Sequence, residues 1–516
     1  MRIEHFKVYN QIHTWAGIVA GLFLLVCFVT GAFTMFKEPL NQWALQSETT
    51  LPPIAKERYD ELTQKVLAQH PEAQAGLTLY MPAAGKQNAP AGWVIENHDT
   101  HEVTQWYASL SPEGDLLTKQ VTISAVGEFI DYIHQTAGIP GTIGHHHLGT
   151  YVMGVIAALY FVAIVSGLII FLPSWFKDFL TVRKGKNRKR FWVDFHNVLG
   201  ITALPFHIVI ALTTFVFAYH DILYDSMRAM VYQDTPMFEM PRPRESQPEL
   251  AELASIAQLT ESIQALEPEF EPALVNYRGL NTPRASVFIA GDMAGHWVRG
   301  PYYAYVGSDP YTATPGYTTM LPNQPGVMSK VVNGFFALHF GGFGGNTIRW
   351  VYFGLGLSGA LLFLTGNILW IETRRRRQKD PQTPVEQKKS TRNLARLTVG
   401  VCMGSMVGLA LSLLAVKLVP HSEFDIQWWQ HATYYFGFVL CVVWACVQAP
   451  MRAALQQMVV LITLVLALSA IGLMGFATIN FAVSVVAFVI ALGLMATWRW
   501  MRNRQALMGR DGVWNY

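Results

Sequence analysis

Long apolar runs separated by polar segments dominate this sequence. A helix needs about 20 apolar residues to cross the roughly 30 Å hydrocarbon core of a bilayer. Runs of this length predict membrane helices near residues 14–36, 150–172, 197–219, 349–371, 395–418, 430–448, 456–475 and 478–498. We therefore expect a mainly α, polytopic membrane protein with about eight transmembrane helices.

Two polar segments between the first four apolar runs are long enough to fold. In the first, an amphipathic stretch over residues 55–69 precedes alternating, strand-like runs such as 76–80. In the second, a helix candidate over 260–266 precedes strand-like runs such as 286–290. This shared order of a helix followed by strands predicts two small α+β domains.

The predicted elements divide the chain into six segments, and their order contains a duplication. The segments are residues 1–36 (helix 1), 37–149 (first α+β domain), 150–219 (helices 2 and 3 with a basic loop), 220–348 (second α+β domain), 349–394 (helix 4 with a basic linker) and 395–516 (a four-helix C-terminal unit). The order helix, α+β domain, helix and basic loop occurs twice. We therefore expect a duplicated 2+2 helical core followed by four extra helices.

Composition and charge agree with a membrane protein and predict its orientation. Charged residues make up 14% of the chain, against about a quarter in soluble domains. Lys and Arg concentrate in segments 173–195 and 372–396 and in the tail, whereas segment 419–429 contains neither. Because cytoplasmic loops carry such an excess, we expect cytoplasmic termini and two periplasmic domains. Basic runs beside membrane helices set orientation, so the expected partner is the lipid bilayer, and no nucleic acid.

The small residues of the apolar runs indicate packing and exclude several kinds of metal site. All four cysteines lie inside these runs, at Cys27, Cys402, Cys441 and Cys446. This placement excludes a disulfide framework, a thiolate zinc site and an iron–sulfur site. In the C-terminal unit, the spacing of Gly400, Gly404 and Gly408 predicts close helix packing.

The first candidate metal ligands belong to a repeated histidine motif. His13-Thr-Trp-Ala-Gly17 opens the first apolar run, and His196-Asn-Val-Leu-Gly200 opens the third. Helices 1 and 3 are expected to run in the same direction, so the two imidazoles would lie at one depth. Paired neutral imidazoles at matching helix ends are typical axial ligands of haem. We predict an inner haem b held by His13 and His196.

A second histidine pair predicts a second haem b near the outer face. His147 and His339 each precede an apolar run and are followed within two residues by a glycine. Because His146 and His147 belong to a tandem of three histidines, His146 is an alternative ligand. The alternative for these imidazoles is that they lie at the membrane–water interface without binding a metal, as Trp and Tyr side chains do.

Two further residues belong to the predicted sites. His207 follows His196 by 11 residues, which a straight helix converts to about 16.5 Å of rise. An imidazole near mid-membrane is costly unless it is ligated or hydrogen-bonded, so His207 either replaces an outer ligand or lines the path between the centres. Arg349 could pair with a haem propionate or an anionic ligand, or anchor the helix at headgroups.

Several of these motifs together resemble the PepSY-associated transmembrane proteins, which include iron-uptake factors and ferric-siderophore reductases of bacterial inner membranes. The motifs are His13-x-Trp-x-Gly17, Asp194-Phe-His196-x-x-x-Gly200 with Ala203-Leu-Pro205, Leu338-His339-Phe-Gly341, and Thr365-Gly366 with Trp370. The resemblance covers residues 1 to about 375, and residues 395–516 depart from it. It implies a cytoplasmic-membrane ferric(-siderophore) reductase whose substrate is a periplasmic ferric chelate or siderophore.

The electron donor of such a reductase must be a separate molecule. No Walker loop and no GxGxxG motif after a strand occurs in the sequence, so we expect neither a nucleotide nor a flavin. A quinol or a cytoplasmic reductase would supply the electrons. Two alternatives remain open: an iron or siderophore permease, or accessory factor, without haem, and a PepSY-type regulatory membrane protein.

Overall fold

The computed structural model of the chain describes most of its residues. They are residues 3–44, 50–85, 88–96, 103–122, 126–144, 146–183, 188–233, 249–293, 295–300, 302–323, 327–376, 385–420, 424–473, 478–507 and 513–515. His145, which belongs to the histidine tandem, and parts of the basic segments lie outside these ranges. The chain forms two compact units, a helical unit (residues 1–44, 124–220 and 350–516) and a sheet unit (45–123 and 221–349).

Helices make up most of the described chain. In chain order they are α1 (Ile3–Thr34), α2 (Lys37–Ala44), α3 (Tyr59–Gln69), α4 (Val126–Thr136), α5 (Leu148–Phe171), α6 (Trp175–Asp178), α7 (Arg188–Thr202), α8 (Leu204–Ala218), α9 (His220–Met227), α10 (Ile256–Gln264), α11 (Val327–Phe340), α12 (Gly345–Arg374), α13 (Lys389–Leu418), α14 (Ile426–Val447), α15 (Pro450–Leu473) and α16 (Thr478–Leu507). Of these, α3, α10 and α11 belong to the sheet unit, together with α9 after its first residue and the first five residues of α12.

The predicted number of membrane helices is confirmed. Within the described residues, seven helices are long and apolar enough to span a bilayer, and the pair α7 and α8 makes an eighth if its two parts form one span. The first helix begins at Ile3 and therefore includes polar turns that precede the apolar run.

The third predicted span is broken between α7 and α8. These helices meet at Ala203 with a bend of 69°. Pro205 explains the break, because it lacks an amide hydrogen and its ring disfavours a continuous helix. The straight-helix estimate of 16.5 Å between His196 and His207 was therefore wrong.

Close glycine packing holds the C-terminal helices together, as the sequence predicts. A Cβ on Gly400 would lie 2.8 Å from the backbone of Val442 on α14. On Gly408 it would lie 2.7 Å from the carbonyl oxygen of Tyr434. Helices α13 and α14 therefore approach to a distance that only glycine allows.

The sheet unit is built on one antiparallel sheet. Its strands are β1 (Gly76–Tyr80), β2 (Ala91–Glu96), β3 (Val103–Leu110), β4 (Leu116–Thr122), β7 (Glu271–Arg278), β8 (Ser286–Asp292), β9 (Ala304–Ser308) and β10 (Pro315–Tyr317). A separate small ladder, β5 (Thr142–Ile143) with β6 (His146–His147), lies in the helical unit. The order in the main sheet is β10-β9-β8-β7-β1-β2-β3-β4.

The two α+β regions that the sequence suggested as separate domains share this sheet. Each half has one helix before four strands, with α3 before β1 and α10 before β7. Strand β1 pairs with β7 from Gly76–Arg278 to Tyr80–Leu274, and buried side chains of both halves form one core. Pairing of β1 with β7 removes two strand edges whose N–H and C=O groups would otherwise lack partners. The sequence pattern within each half does not reveal this pairing.

Candidate functional site

A cavity of about 910 Å³ opens among helices α1, α5, α7, α8 and α12 of the helical unit. Its volume falls in the range of roughly 300–1,000 Å³ that is typical of small-molecule and cofactor sites. Most of its wall is apolar, and three histidines contribute to it: His13, His196 and His207. The cavity therefore combines a hydrophobic interior with a few nitrogen donors.

His13 is oriented by the backbone of α5. Its Nδ1 lies 2.8 Å from the carbonyl oxygen of Ala163. A carbonyl can only accept, so Nδ1–H donates and the proton of the neutral ring is assigned to Nδ1. The lone pair is then on Nε2, the atom available to a metal.

His196 reaches the same tautomer through a hydroxyl of α12. Its Nδ1 lies 3.0 Å from Oγ1 of Thr365, and that hydroxyl donates its own hydrogen to the carbonyl oxygen of Leu362 at 2.8 Å. Because the hydroxyl hydrogen is already used, Oγ1 accepts from Nδ1–H of His196. The Nε2 atom of His196 is thereby left with its lone pair.

The two imidazoles are spaced as ligands of one metal ion would be. Their ring centres lie 6.2 Å apart, and the ring planes are inclined by 73°. Two metal–imidazole bonds of about 2 Å, with the distances from nitrogen to ring centre, add up to about 6 Å. Within the described residues, no group of three or more His, Cys, Asp or Glu side chains is placed to hold a metal. Two imidazoles without further protein ligands suit haem, whose porphyrin supplies the other four nitrogens.

Glycines give the cavity its width and its close contacts. Gly17 and Gly200, each four residues after a histidine, line the cavity, and a Cβ on Gly17 would meet nothing within 4 Å. A Cβ on Gly167 would lie 2.8 Å from Cε1 of His13. Gly17 thus leaves open space beside the imidazoles, and Gly167 lets the His13 ring approach the backbone of α5.

His207 lies in the wall of this cavity with one nitrogen unpaired. Its Nδ1 is 2.6 Å from the hydroxyl of Tyr160, and its Nε2 is buried without a hydrogen-bond partner among the described residues. Only 1% of His207 is exposed. An unpaired buried nitrogen is costly, so Nε2 is a second position at which this chain could contact a bound group.

The other predicted ligands are distributed over both units. In the helical unit, the exposed His147 ring lies 4.9 Å from the ring of Tyr132, and His146 lies 6.0 Å from His220. In the sheet unit, the half-buried His339 ring lies 5.2 Å from that of Phe340. The structure therefore brings His13, His196 and His207 together at one cavity. His146, His147 and His339 do not line this cavity.

His147 and His339 do not occupy equivalent positions relative to the helices, and their pairing as haem ligands stays a prediction. His339 lies inside α11, the short helix before α12, whereas His147 immediately precedes α5. The residue in the corresponding position of the first half is His134, near the end of α4. The small β5–β6 ladder is inserted between α4 and α5, which shifts the apparent alignment. Nδ1 of His134 bonds to the carbonyl oxygen of Cys27 at 2.9 Å.

Arg349 stacks on an aromatic ring within the sheet unit. Its guanidinium carbon lies 3.9 Å from the centre of the Tyr302 ring, and Nη1 donates to Oδ1 of Asn346 at 3.2 Å. The cations that line the cavity are instead Lys189, Arg190 and Arg374. Arg190 is paired with Asp178 at 2.9 Å.

Two important residues of the site carry no distinctive sequence signal. Tyr160 lies in a uniformly apolar run, and Ala163 acts through its main-chain oxygen. Thr365 belongs to a motif that the sequence singles out, but its bond to His196 depends on the packing of α12 against α7. The duplication is the one sequence signal for this part of the site. Gly167 lies beside the His13 ring, and Gly366, at the equivalent position of the second half, lies beside the His196 ring.

Comparison with known protein families gives one match. Residues 10–373 match the model of the PepSY-associated TM region. No curated protein matches the chain. Because the match covers well over half of the chain, this protein belongs to the PepSY-associated TM family.

Proposed function

Starting from this family membership, we propose that the protein is a haem b protein of the bacterial cytoplasmic membrane that moves electrons outward to reduce ferric chelates. The observation that carries the proposal is the pair His13 and His196, with Nδ1 of each ring engaged and the ring centres 6.2 Å apart across a cavity. We propose ferric siderophores in the periplasm as the substrates and iron acquisition as the purpose.

The residues of the cavity would hold the haem in defined ways. Nε2 of His13 and of His196 would bind its iron, while Ala163 and Thr365 keep both rings in the required orientation. A bound haem supplies a one-electron centre whose potential depends on its axial ligands and burial. The haem carboxylates would meet Lys189 and Arg374 at the cavity wall.

A second haem nearer the outer face is part of the proposal. His147 and His339 are its predicted ligands, with His207 or His146 as replacements. The unpaired Nε2 of His207 favours a role for this residue toward a bound group. The rings of Phe28 and Tyr160 each lie 6.0 Å from the His207 ring. The Phe363 ring lies 5.0 Å from that of Phe28 and 5.2 Å from that of Tyr160.

One electron is sufficient to release iron from the proposed substrates. Oxygen-rich chelators hold hard Fe(III) far better than Fe(II), so reduction weakens the complex. The electron, from a quinol or a cytoplasmic reductase, ends on the iron ion, and the chelator leaves unchanged. No acid or base group of the protein is required in this step.

Reduction across a sealed membrane tests the proposal. Purified protein is placed in liposomes that contain an impermeant reductant, with a ferric chelate and a ferrous-specific dye outside. We expect dye formation with the wild type and with His431→Ala, a histidine outside the cavity, and a strong loss with His13→Ala and His196→Ala. Equal rates for all variants, or rates no higher than those of empty liposomes, would favour the permease or regulatory alternatives.

A further inference from the structure

The sheet unit carries a second cluster of chemistry-bearing residues, which the haem site does not use. Arg299 lies over the Phe336 ring, with 5.2 Å from its guanidinium carbon to the ring centre. Arg349 lies over the Tyr302 ring at 3.9 Å. We call these two arginines with Tyr302, Tyr303, Phe336 and Trp297 the arginine–aromatic patch.

The patch is locally continuous and partly exposed, since all its members other than Trp297 are half-buried. Trp297 is 51% exposed, and its ring lies 6.4 Å from that of Phe343 just beyond α11. The rings of Tyr302 and Tyr303 lie 6.3 Å apart. The segment after β8 thus lies along α11 and reaches the first turn of α12, so both arginines belong to one surface.

The two arginines of the patch differ in their ion pairing from another arginine of the sheet unit. Neither guanidinium forms an ion pair with a carboxylate among the residues the structure describes. Elsewhere in the same unit, by contrast, Arg58 is paired with Glu61 at 3.0 Å. Burial raises the pKa of Tyr303. The Arg349 guanidinium lowers this pKa, whereas the exposed Asp292 carboxylate raises it. The ring edge of Tyr303 therefore lies in the field of Arg349.

Two rigid guanidinium groups beside aromatic faces recognise a particular kind of ligand. Guanidinium groups bind carboxylate and similar oxygen anions through parallel hydrogen bonds. The faces of Trp and Tyr add contact area for flat or aryl groups. We propose that the arginine–aromatic patch binds the ferric substrate, and that this substrate is a net-negative chelate with catecholate or carboxylate oxygens.

This inference rests on the proposed function for the fate of the bound chelate, but binding itself needs no electron. Helix α11 contributes Phe336 to the patch and also carries His339, a predicted ligand of the outer haem. A chelate on the patch would therefore lie beside the helix from which an electron is expected. The patch supplies position and charge complementarity, and no bond of the chelate is broken there by the protein.

Gallium chelates separate binding from reduction, because Ga(III) has the charge of Fe(III) and is not reduced. The experiment measures binding of the anionic Ga(III) tris-catecholate and of a neutral Ga(III) tris-hydroxamate to the full-length protein in detergent by calorimetry. The variants are Arg299→Gln and Arg349→Gln. Arg278→Gln is the matched control, since Arg278 also lies over a ring, Phe288, at 4.8 Å but outside the patch.

We expect the anionic chelate to bind the wild type and Arg278→Gln equally, and each patch variant about tenfold more weakly. Arg349→Lys should recover part of the loss, which a folding defect would not allow. Equal binding by all variants, or equal preference for the neutral chelate, overturns the inference. Loss of co-purifying anionic lipid without loss of chelate binding overturns it too, and would assign the patch to headgroups. A colourless protein that still binds the gallium chelate would contradict the haem proposal and leave the binding inference standing.

Discussion

Thr365 holds His196 through a directed chain of hydrogen bonds. Nδ1–H of His196 donates to Oγ1 of Thr365 at 3.0 Å, and the hydroxyl donates onward to the carbonyl oxygen of Leu362 at 2.8 Å. The hydroxyl thereby determines which nitrogen of His196 faces the cavity. This is the arrangement by which partners behind a metal ligand fix its ring.

Removal of this hydroxyl should weaken haem binding without disturbing the helix. We expect Thr365→Val to lower haem affinity by about 10- to 100-fold, the usual effect of losing a partner behind a metal ligand. The measurement is haem transfer to apomyoglobin from the purified protein. Thr463→Val is the control, because Thr463 makes the same bond to its own helix at 3.0 Å without a histidine. Equal transfer from both variants would contradict the assigned role of Thr365.

The open space beside Gly17 should be necessary for the cofactor. A leucine there would occupy the cavity, and overpacking typically costs about 1–3 kcal/mol, or roughly 5- to 150-fold in affinity. We therefore expect Gly17→Leu to fold normally and to lose most of its haem on dilution. Gly354→Leu is the control, since a Cβ on Gly354 also meets nothing within 4 Å. Full haem retention by Gly17→Leu would show that the cofactor lies elsewhere.

Tyr160 and His207 should behave as one energetic unit. Tyr160→Phe leaves the buried imidazole without its 2.6 Å bond, which should cost about 1–3 kcal/mol of unfolding free energy. In Tyr160→Phe with His207→Phe, no buried polar atom is left unpaired, so the double variant should be more stable than the sum of the two single losses. Reversible denaturation in mixed micelles gives these values. Additivity within about 0.5 kcal/mol would contradict the coupling.

The glycine contact between α13 and α14 should be essential to the C-terminal unit. A side chain at Gly408 would meet the Tyr434 backbone at 2.7 Å, so Gly408→Leu must separate the two helices. We expect a loss of at least about 2 kcal/mol in unfolding free energy, with the haem-to-protein ratio of the folded fraction unchanged. Gly493→Leu, where a Cβ meets nothing within 4 Å, should be neutral. A fully stable Gly408→Leu protein would disprove the close approach.

Repetition and hydropathy made much of this molecule predictable. The apolar runs gave the number of membrane helices, because spanning a bilayer requires a minimum length of apolar chain. The repeated phrase around His13 and His196 pointed to two rings at one depth, and the structure brings these rings to 6.2 Å. Duplicated halves pack with approximate symmetry, so equivalent residues meet across the centre.

Features that depend on contacts between distant segments were not predictable. Pro205 signals a helix break, but it does not give the size of the bend, 69°, which determines where His207 lies. The partner of His207, Tyr160, is 47 residues away and has no local mark. The pairing of β1 with β7 joins two halves that each look complete alone. The insertion between α4 and α5 also concealed that His134, not His147, stands where His339 stands in the second half.

The central claim is that paired imidazoles hold haem iron, and haem content measures this most directly. A pyridine haemochrome assay on detergent-purified protein, expressed with ample haem supply, compares the wild type with single alanine variants of His13, His147, His196, His207 and His339. The account predicts a coloured wild type and loss of about half the haem in His13→Ala and His196→Ala, because each removes an axial ligand of one of two centres. A colourless wild type, or unchanged haem in all five variants, would contradict it.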